Sequence, residues 1–274
     1  MKANVLSITG EKLKQVELPS CFTEEIRKDL IKRAFEVEAA ATRQPYGAFP
    51  LAGKLASASG KIRHARRKYK TAYGIGISRV PRKVMTRRGA RFFWVGAFAP
   101  GTRGGRAAHP PKAEKIFTKK INKKEKIKAL KAAIAATSSQ KEMCKRYATL
   151  KEEKIELPLI VESKIADIKK TKELHEVLLK LLGNLANIAF RQKRVRAGAG
   201  KKRGRYYKKG KGMLIVTSTD KEMPAAKGLK GLGVDVAKVK KLKIMELAPG
   251  GIGGRLTLYT EDAVKEMHET EKLK

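Results

Sequence analysis

The chain of 274 residues carries 64 Lys and Arg against 26 Asp and Glu, a net charge of +38, and 42% of its residues are hydrophobic. At roughly 150 residues per domain this is one large domain or two small ones, with enough apolar content for a core, so a disordered basic tail is excluded. A surplus of this size calls for a polyanion, nucleic acid ahead of an acidic membrane surface, and fits poorly with an enzyme for small neutral substrates.

In chain order, the segments 5–8 and 12–18 flank Thr9-Gly10 and predict an N-terminal hairpin. Thr23, followed by Glu24 and Glu25, reads as the cap of a helix. Its buried face would carry Ile26, Leu30, Ala34, Val37 and Ala41, and it should stop before Pro45. Residues 42–110 break the pattern. They hold ten glycines, five prolines and no sustained period of two or 3.6. Beyond them, Ile127, Leu130 and Ile134 mark a helix, and Met143, Tyr147 and Leu150 a shorter one. Residues 157–161 are an apolar run suited to a buried strand. Leu174, Val177, Leu178, Leu181 and Leu182 form an amphipathic helix that ends at Gly183. Residues 213–217, 234–236 and 256–260 are further strands, and 240–247 and 261–268 are helices, the last capped by Thr260. Alternation of this kind predicts an α/β fold: a mostly parallel sheet flanked by helices, with one very long extended loop inserted. The predicted division is a globular domain of residues 1–41 and 111–274, the long loop 42–110, and a second basic loop, 191–212, within the globular domain.

The charge is concentrated in those two loops. Residues 42–110 contain 16 Lys and Arg and no acid, where the chain average would give roughly six acids. Residues 191–212 contain 11 basic residues and no acid, which leaves only +11 over the other 183 positions. The long loop also holds eight of the chain's 16 aromatic residues. Disordered linkers are poor in aromatics, so this segment is expected to order against a partner. Cations neutralise phosphates, guanidinium forks and rings stack on unpaired bases, and glycines let the backbone come close. Half of the loop, at up to about 3.3 Å per residue, reaches on the order of 100 Å. Folded RNA is the expected polymer. A DNA-architectural or chromatin protein would share the charge without needing the rings, and an RNA-modifying enzyme should show a cofactor loop or an acid/base pair.

No such chemistry is legible. Gly74-Ile75-Gly76, Gly231-Leu232-Gly233 and residues 250–254 lack the rest of a dinucleotide or phosphate loop and read as turns. His64, His109, His175 and His268 are scattered without metal-ligand spacing. Cys21 and Cys144 are the only cysteines and lie far apart, which excludes zinc ribbons and disulfide scaffolds and predicts two buried thiols in a reducing compartment. No apolar stretch of signal-peptide or bilayer-spanning length occurs. The expectation is a soluble intracellular protein with no catalysis, cofactor, metal or membrane partner.

The segments 43–47 (Arg-Gln-Pro-Tyr-Gly), 74–82 (Gly-Ile-Gly-Ile-Ser-Arg-Val-Pro-Arg) and 96–111 (Gly-Ala-Phe-Ala-Pro-Gly-Thr-Arg-Gly-Gly-Arg-Ala-Ala-His-Pro-Pro) resemble the archaeal/eukaryotic branch of the large-subunit ribosomal protein four family. The resemblance covers nearly the whole chain. It implies a structural constituent of the large ribosomal subunit, located on cytoplasmic ribosomes, that binds 23S-type ribosomal RNA and touches neighbouring large-subunit proteins. It further implies a loop that supports subunit assembly and lines the peptide exit tunnel, with Arg87, Arg88 and Arg91 at a tip near the nascent peptide. Candidate RNA contacts along the loop are Arg43, Tyr46, Lys61, Arg63, Arg66, Arg67, Lys68, Tyr73, Arg79, Arg82, Lys83, Trp94, Arg103, Arg106 and His109. Arg194, Arg203 and Arg205 are their counterparts in the second loop.

Overall fold

The computed structural model describes residues 1–52, 58, 73, 74, 76–88, 91–150 and 155–272. The elements are β1 (Lys2–Leu6), β2 (Lys12–Glu17), α1 (Lys28–Ala41), β3 (Arg82–Arg88), β4 (Arg91–Gly96), α2 (Lys123–Ser138), α3 (Gln140–Arg146), β5 (Leu159–Val161) and α4 (Thr171–Leu182). They continue with α5 (Ala186–Ala189), β6 (Arg194–Val195), β7 (Tyr207–Lys208), β8 (Leu214–Thr217), α6 (Pro224–Gly228), β9 (Asp235–Lys238), α7 (Ile244–Leu247), β10 (Thr257–Thr260) and α8 (Glu261–Lys272). The chain divides into two compact units: Met1–Thr42 with Thr118–Lys274, and Arg43–Phe117.

The larger unit is built on a six-stranded sheet in the order β2-β1-β5-β10-β8-β9. Only β1 and β2 are antiparallel; every other neighbouring pair is parallel. The central strands are short and apolar throughout because both of their faces are covered. Ile160, Leu214, Val216 and Tyr259 point to one side, where Ile31 and Ala34 of α1 and the alanines of α2 close over them. Leu159, Val161, Ile215 and Leu258 point to the other, against Leu174 and Leu178 of α4 and Ala225 and Ala226 of α6. Within the first layer the Tyr259 ring meets Phe22 edge-on at 5.2 Å. Its hydroxyl is 2.9 Å from Thr137 Oγ1, which donates to the Ile134 carbonyl at 2.7 Å. Burial pushes the Tyr259 phenol above its ordinary pKa, the Thr137 bond pulling the other way.

The α/β reading of the sequence describes this unit, and three local expectations are corrected: the Thr23 cap, the burial of Ala41 and the burial of Cys144. Thr23 caps no helix: its hydroxyl donates to the Ser20 carbonyl at 2.9 Å, closing a 3-10 turn that buries Cys21 and Phe22, and α1 starts at Lys28. Ala34 is buried on the expected face, beside Ile31 and with Leu30 and Ile26 packed against the core, while Ala41 is exposed. Helix α2 forms where Ile127, Leu130 and Ile134 mark it, with Ile134 buried and Ile127 exposed, and packs mainly through Ala129, Ala132, Ala133 and Ala136. Alanines let the helix approach the sheet closely, which a search for large apolar residues overlooks. Cys21 is buried but Cys144 is half-buried, and neither forms a disulfide.

The smaller unit contains regular structure where period two was not evident. β3 and β4 pair antiparallel from Arg82↔Gly96 to Arg88↔Arg91, with an irregularity between Val84 and Thr86. Cations occupy strand positions where an alternating sequence would place apolar residues, which hides the ladder from a hydropathy reading.

Candidate nucleic-acid interface

In the smaller unit, Arg43 and Phe117 are the first and last residues. The Arg43 guanidinium lies 4.1 Å from the centroid of Phe117 and 5.8 Å from that of Tyr46, and those two rings are near-parallel at 6.4 Å. Lys115 adds its ammonium 5.5 Å from the Phe117 ring. Cation–π contacts of this kind fix a long side chain without cancelling its charge. Gly47 allows the chain to pass there, since a Cβ would fall 2.5 Å from the Ala113 nitrogen. Arg79 repeats the device, its guanidinium 4.2 Å from the Tyr73 centroid. Arg82 donates from Nη2 to the Ser78 carbonyl at 2.7 Å.

Beyond β4 the chain turns tightly. Thr102 Oγ1 donates to the Ala99 carbonyl at 2.7 Å, the Gly105 N–H donates to the Thr102 carbonyl at 2.9 Å, and Gly101 and Gly104 have φ of 82° and 67°. A side chain at Gly105 would collide with the Ala99 carbonyl and with Thr102. The turn leaves Arg103 and His109 exposed and Arg106 half-buried. Lys83 and Arg88 are exposed on β3. Arg87 is paired with Phe92 and Trp94 with Val84 across the ladder. Lys61, Arg63, Arg66, Arg67 and Lys68 lie outside the described residues.

In the larger unit the second basic loop is a small hairpin. Arg194 pairs with Lys208 and Val195 with Tyr207, and the 3-10 turn Ala199–Arg203 closes the far end. The Tyr206 and Tyr207 rings meet edge-on at 4.9 Å and Lys193 lies 5.7 Å from the Tyr207 centroid. Arg194, Arg203, Arg205, Tyr206 and Tyr207 are all exposed. Desolvation, with repulsion from Lys211, Lys230 and Lys193, pushes the Lys209 ammonium below its ordinary pKa, and Asp235 opposes the shift.

A buried arginine that the sequence reading missed holds the root of this hairpin. Arg255 is fully buried. It donates to the Gly212 carbonyl at 2.8 Å, to the Met213 carbonyl at 3.1 Å, to the Glu246 carbonyl at 2.6 Å and to Asp235 Oδ2 at 2.7 Å. Lys211 reaches the same carboxylate oxygen at 2.7 Å. Burial works against the Asp235 charge, but the two cations outweigh it and hold the carboxyl below its ordinary pKa. No local signal marks Arg255, because its partners come from distant parts of the chain.

The distribution of ion pairs separates scaffold from surface. Every ion pair among the described residues lies within the larger unit, and none involves residues 191–210. No group of His, Cys, Asp and Glu among the described residues is placed to hold a metal. No helix among them is long and apolar enough to cross a membrane.

The sequence pattern of the Ribosomal protein L4/L1 family matches residues 16–270. The chain belongs to that family. Relatives bearing the name large ribosomal subunit protein uL4 agree with it over nearly their full length. The protein of Methanocaldococcus jannaschii is 42% identical, over 98% of this chain and 99% of its own. That of Nanoarchaeum equitans is 40% identical over 98% of each, and that of Thermoplasma acidophilum 39% over 99% of each. In this member of the L4/L1 family, the inserted unit and the second basic hairpin hold cations that meet no carboxylate among the described residues.

Proposed function

We propose that the chain is a structural constituent of the large ribosomal subunit that binds 23S-type ribosomal RNA through residues 43–117 and the hairpin at 191–212. The long loop supports assembly and helps line the peptide exit tunnel, with Arg87, Arg88 and Arg91 toward the nascent peptide. Its neighbours are other large-subunit proteins, and its place of work is the cytoplasmic ribosome. One observation carries the reading: cations of the two basic elements, from Arg43 to Arg106 and from Lys193 to Lys209, enter no ion pair among the described residues, although Glu and Asp are available elsewhere in the chain. Glu114 is the single acid of residues 43–117. Phosphate supplies the missing counter-charge, and displaced counterions provide most of the affinity. Rings held beside guanidinium groups, as at Arg43 and Arg79, add the stacking that unpaired bases accept and duplex DNA does not. Phosphate contacts set the register, and stacking and shape select the RNA.

Competition between large-subunit ribosomal RNA and duplex DNA of equal length, at about 0.15 M salt, tests the reading together with co-sedimentation on large subunits. The expected result is preference for the ribosomal RNA and migration with the particle. Equal affinity for duplex DNA, or absence from the particle, overturns it.

A further inference from the structure

Where the second basic hairpin leaves α5 and rejoins the sheet, the larger unit has a cleft of about 800 Å³. Clefts of about 300–1,000 Å³ accommodate ligands of nucleotide size. Its lining includes Arg146, Arg191, Arg194, Lys208 and Lys211 and, among the described residues, no carboxylate. Two of these cations are already committed. Arg146 donates to the carbonyls of Pro249 and Ile252, and Lys211 to Asp235. Arg191, Arg194 and Lys208 enter no ion pair among the described residues, and the last two face one another across the β6–β7 ladder. Like charges directly opposite on a two-residue ladder destabilise it, so the pair is arranged for an anion that bridges it.

The rest of the lining is not what a bare anion needs. His175 of α4 lies against Phe190, ring centroids 4.7 Å apart and tilted by 49°. Leu179 and Ile252 expose 41% and 57% of their surface at the same cleft. Asn187 and Gln192, both exposed, bring amide donors and acceptors to its rim. Rings, amides and an acid-free pair of cations in one cleft match the three parts of a nucleotide: base face, base edge and phosphate. An acidic peptide would use the cations but leave the aromatic wall and amides without a purpose.

We infer that this cleft receives one unpaired nucleotide of a folded RNA, its base against the His175–Phe190 wall beside Asn187 and its phosphate between Arg194 and Lys208. The inference rests on the RNA-binding reading above and adds a site to it.

The full chain is titrated with two RNA hairpins identical except for a single bulged nucleotide in one of them, and with a decaglutamate competitor. The expected result is tighter binding of the bulged hairpin. His175→Ala combined with Asn187→Ala should then lower affinity for the bulged RNA by about fivefold or more, the cost of losing one stacked base, and leave affinity for the paired hairpin unchanged. Ile252→Trp, at an exposed position, fills the cleft without disturbing the core and should have the same effect. Equal binding of both hairpins, insensitivity to both variants, or displacement of the bulged RNA by decaglutamate at matched charge overturns this inference and leaves the RNA-binding reading intact. Failure to bind either hairpin overturns both.

Discussion

Arg255 Nη2 and Asp235 Oδ2 meet at 2.7 Å with the guanidinium fully buried and the carboxylate partly so. The pair ties the segment leading into β10 to the edge strand β9 and, through the Gly212 and Met213 carbonyls, to the root of the second basic hairpin. Removing one partner of such a pair leaves a buried charge uncompensated, at about 3–5 kcal/mol. Asp235→Asn should therefore lower the melting temperature of the larger unit by roughly 10 °C. Amide exchange in residues 191–212 should accelerate more than in β10. An unchanged melting temperature would show that the pair is not structural.

How much of this was legible follows from the range of the forces involved. Leu174, Leu178 and Leu182 repeat at helical spacing and end at Gly183, whose φ is 47°, so α4 is written in local sequence. Thr23 misleads because its hydroxyl can serve either a helix or a preceding turn, and burial of Cys21 and Phe22 decides for the turn. The acid-free blocks marked the candidate interface by composition alone. Arg255 was invisible, one of 64 Lys and Arg, because its role is set by four carbonyl and carboxylate groups contributed by Gly212, Met213, Asp235 and Glu246. Phe117 was missed for the same reason: its contact with Arg43 spans the whole inserted unit.

Thr260 is a cap that sequence does specify. Its buried Oγ1 accepts from the Ala263 N–H at 3.3 Å at the start of α8. Thr260→Ala should cost about 1 kcal/mol, a fall of roughly 3 °C in melting temperature, with Thr260→Ser recovering most of it. If Ser fails to rescue, the methyl group rather than the hydroxyl carries the effect.

Acid should weaken the larger unit. Burial disfavours the charges of Asp235, Glu142 and Glu261. Their lysine partners, joined by Arg255 at Asp235, prevail and hold all three below their ordinary pKa. Groups depressed in the folded state contribute stability that is fully present above the unfolded values of 3.8 and 4.5 and is lost as pH falls through the lower folded values. Burial raises Glu246, with Asp235 adding to the effect, so its protonation offsets a part of the loss. Melting curves from about pH 6 to about pH 2.5 should be flat at first and then fall, with a shallower fall in Asp235→Asn. Rising stability below about pH 4 would contradict the assignment of these pairs.

The turn after β4 depends on one hydroxyl. Thr102→Val keeps the shape but removes the donor to the Ala99 carbonyl, at about 1 kcal/mol. Amide exchange at Gly105, whose N–H bonds to the Thr102 carbonyl, should rise by roughly fivefold. Melting of the larger unit should stay constant, since the turn belongs to the smaller one. Unaltered exchange at Gly105 would assign the turn's stability to the glycine conformations alone.

Arg87, Arg88 and Arg91 separate binding from stability. They stand at the far end of the β3–β4 ladder, where Arg87 pairs with Phe92 and Arg88 with Arg91. Changing all three to Ala should leave the melting of the larger unit within about 0.5 kcal/mol of the parent, as surface substitutions do. The slope of log affinity for ribosomal RNA against log salt should become shallower by roughly one for each phosphate that is no longer neutralised. Ribosomes assembled with the variant should be impaired in subunit assembly or in passage of the nascent chain. A salt slope identical to the parent's would mean that these arginines meet no phosphate, and the tip would have to be assigned elsewhere in the loop.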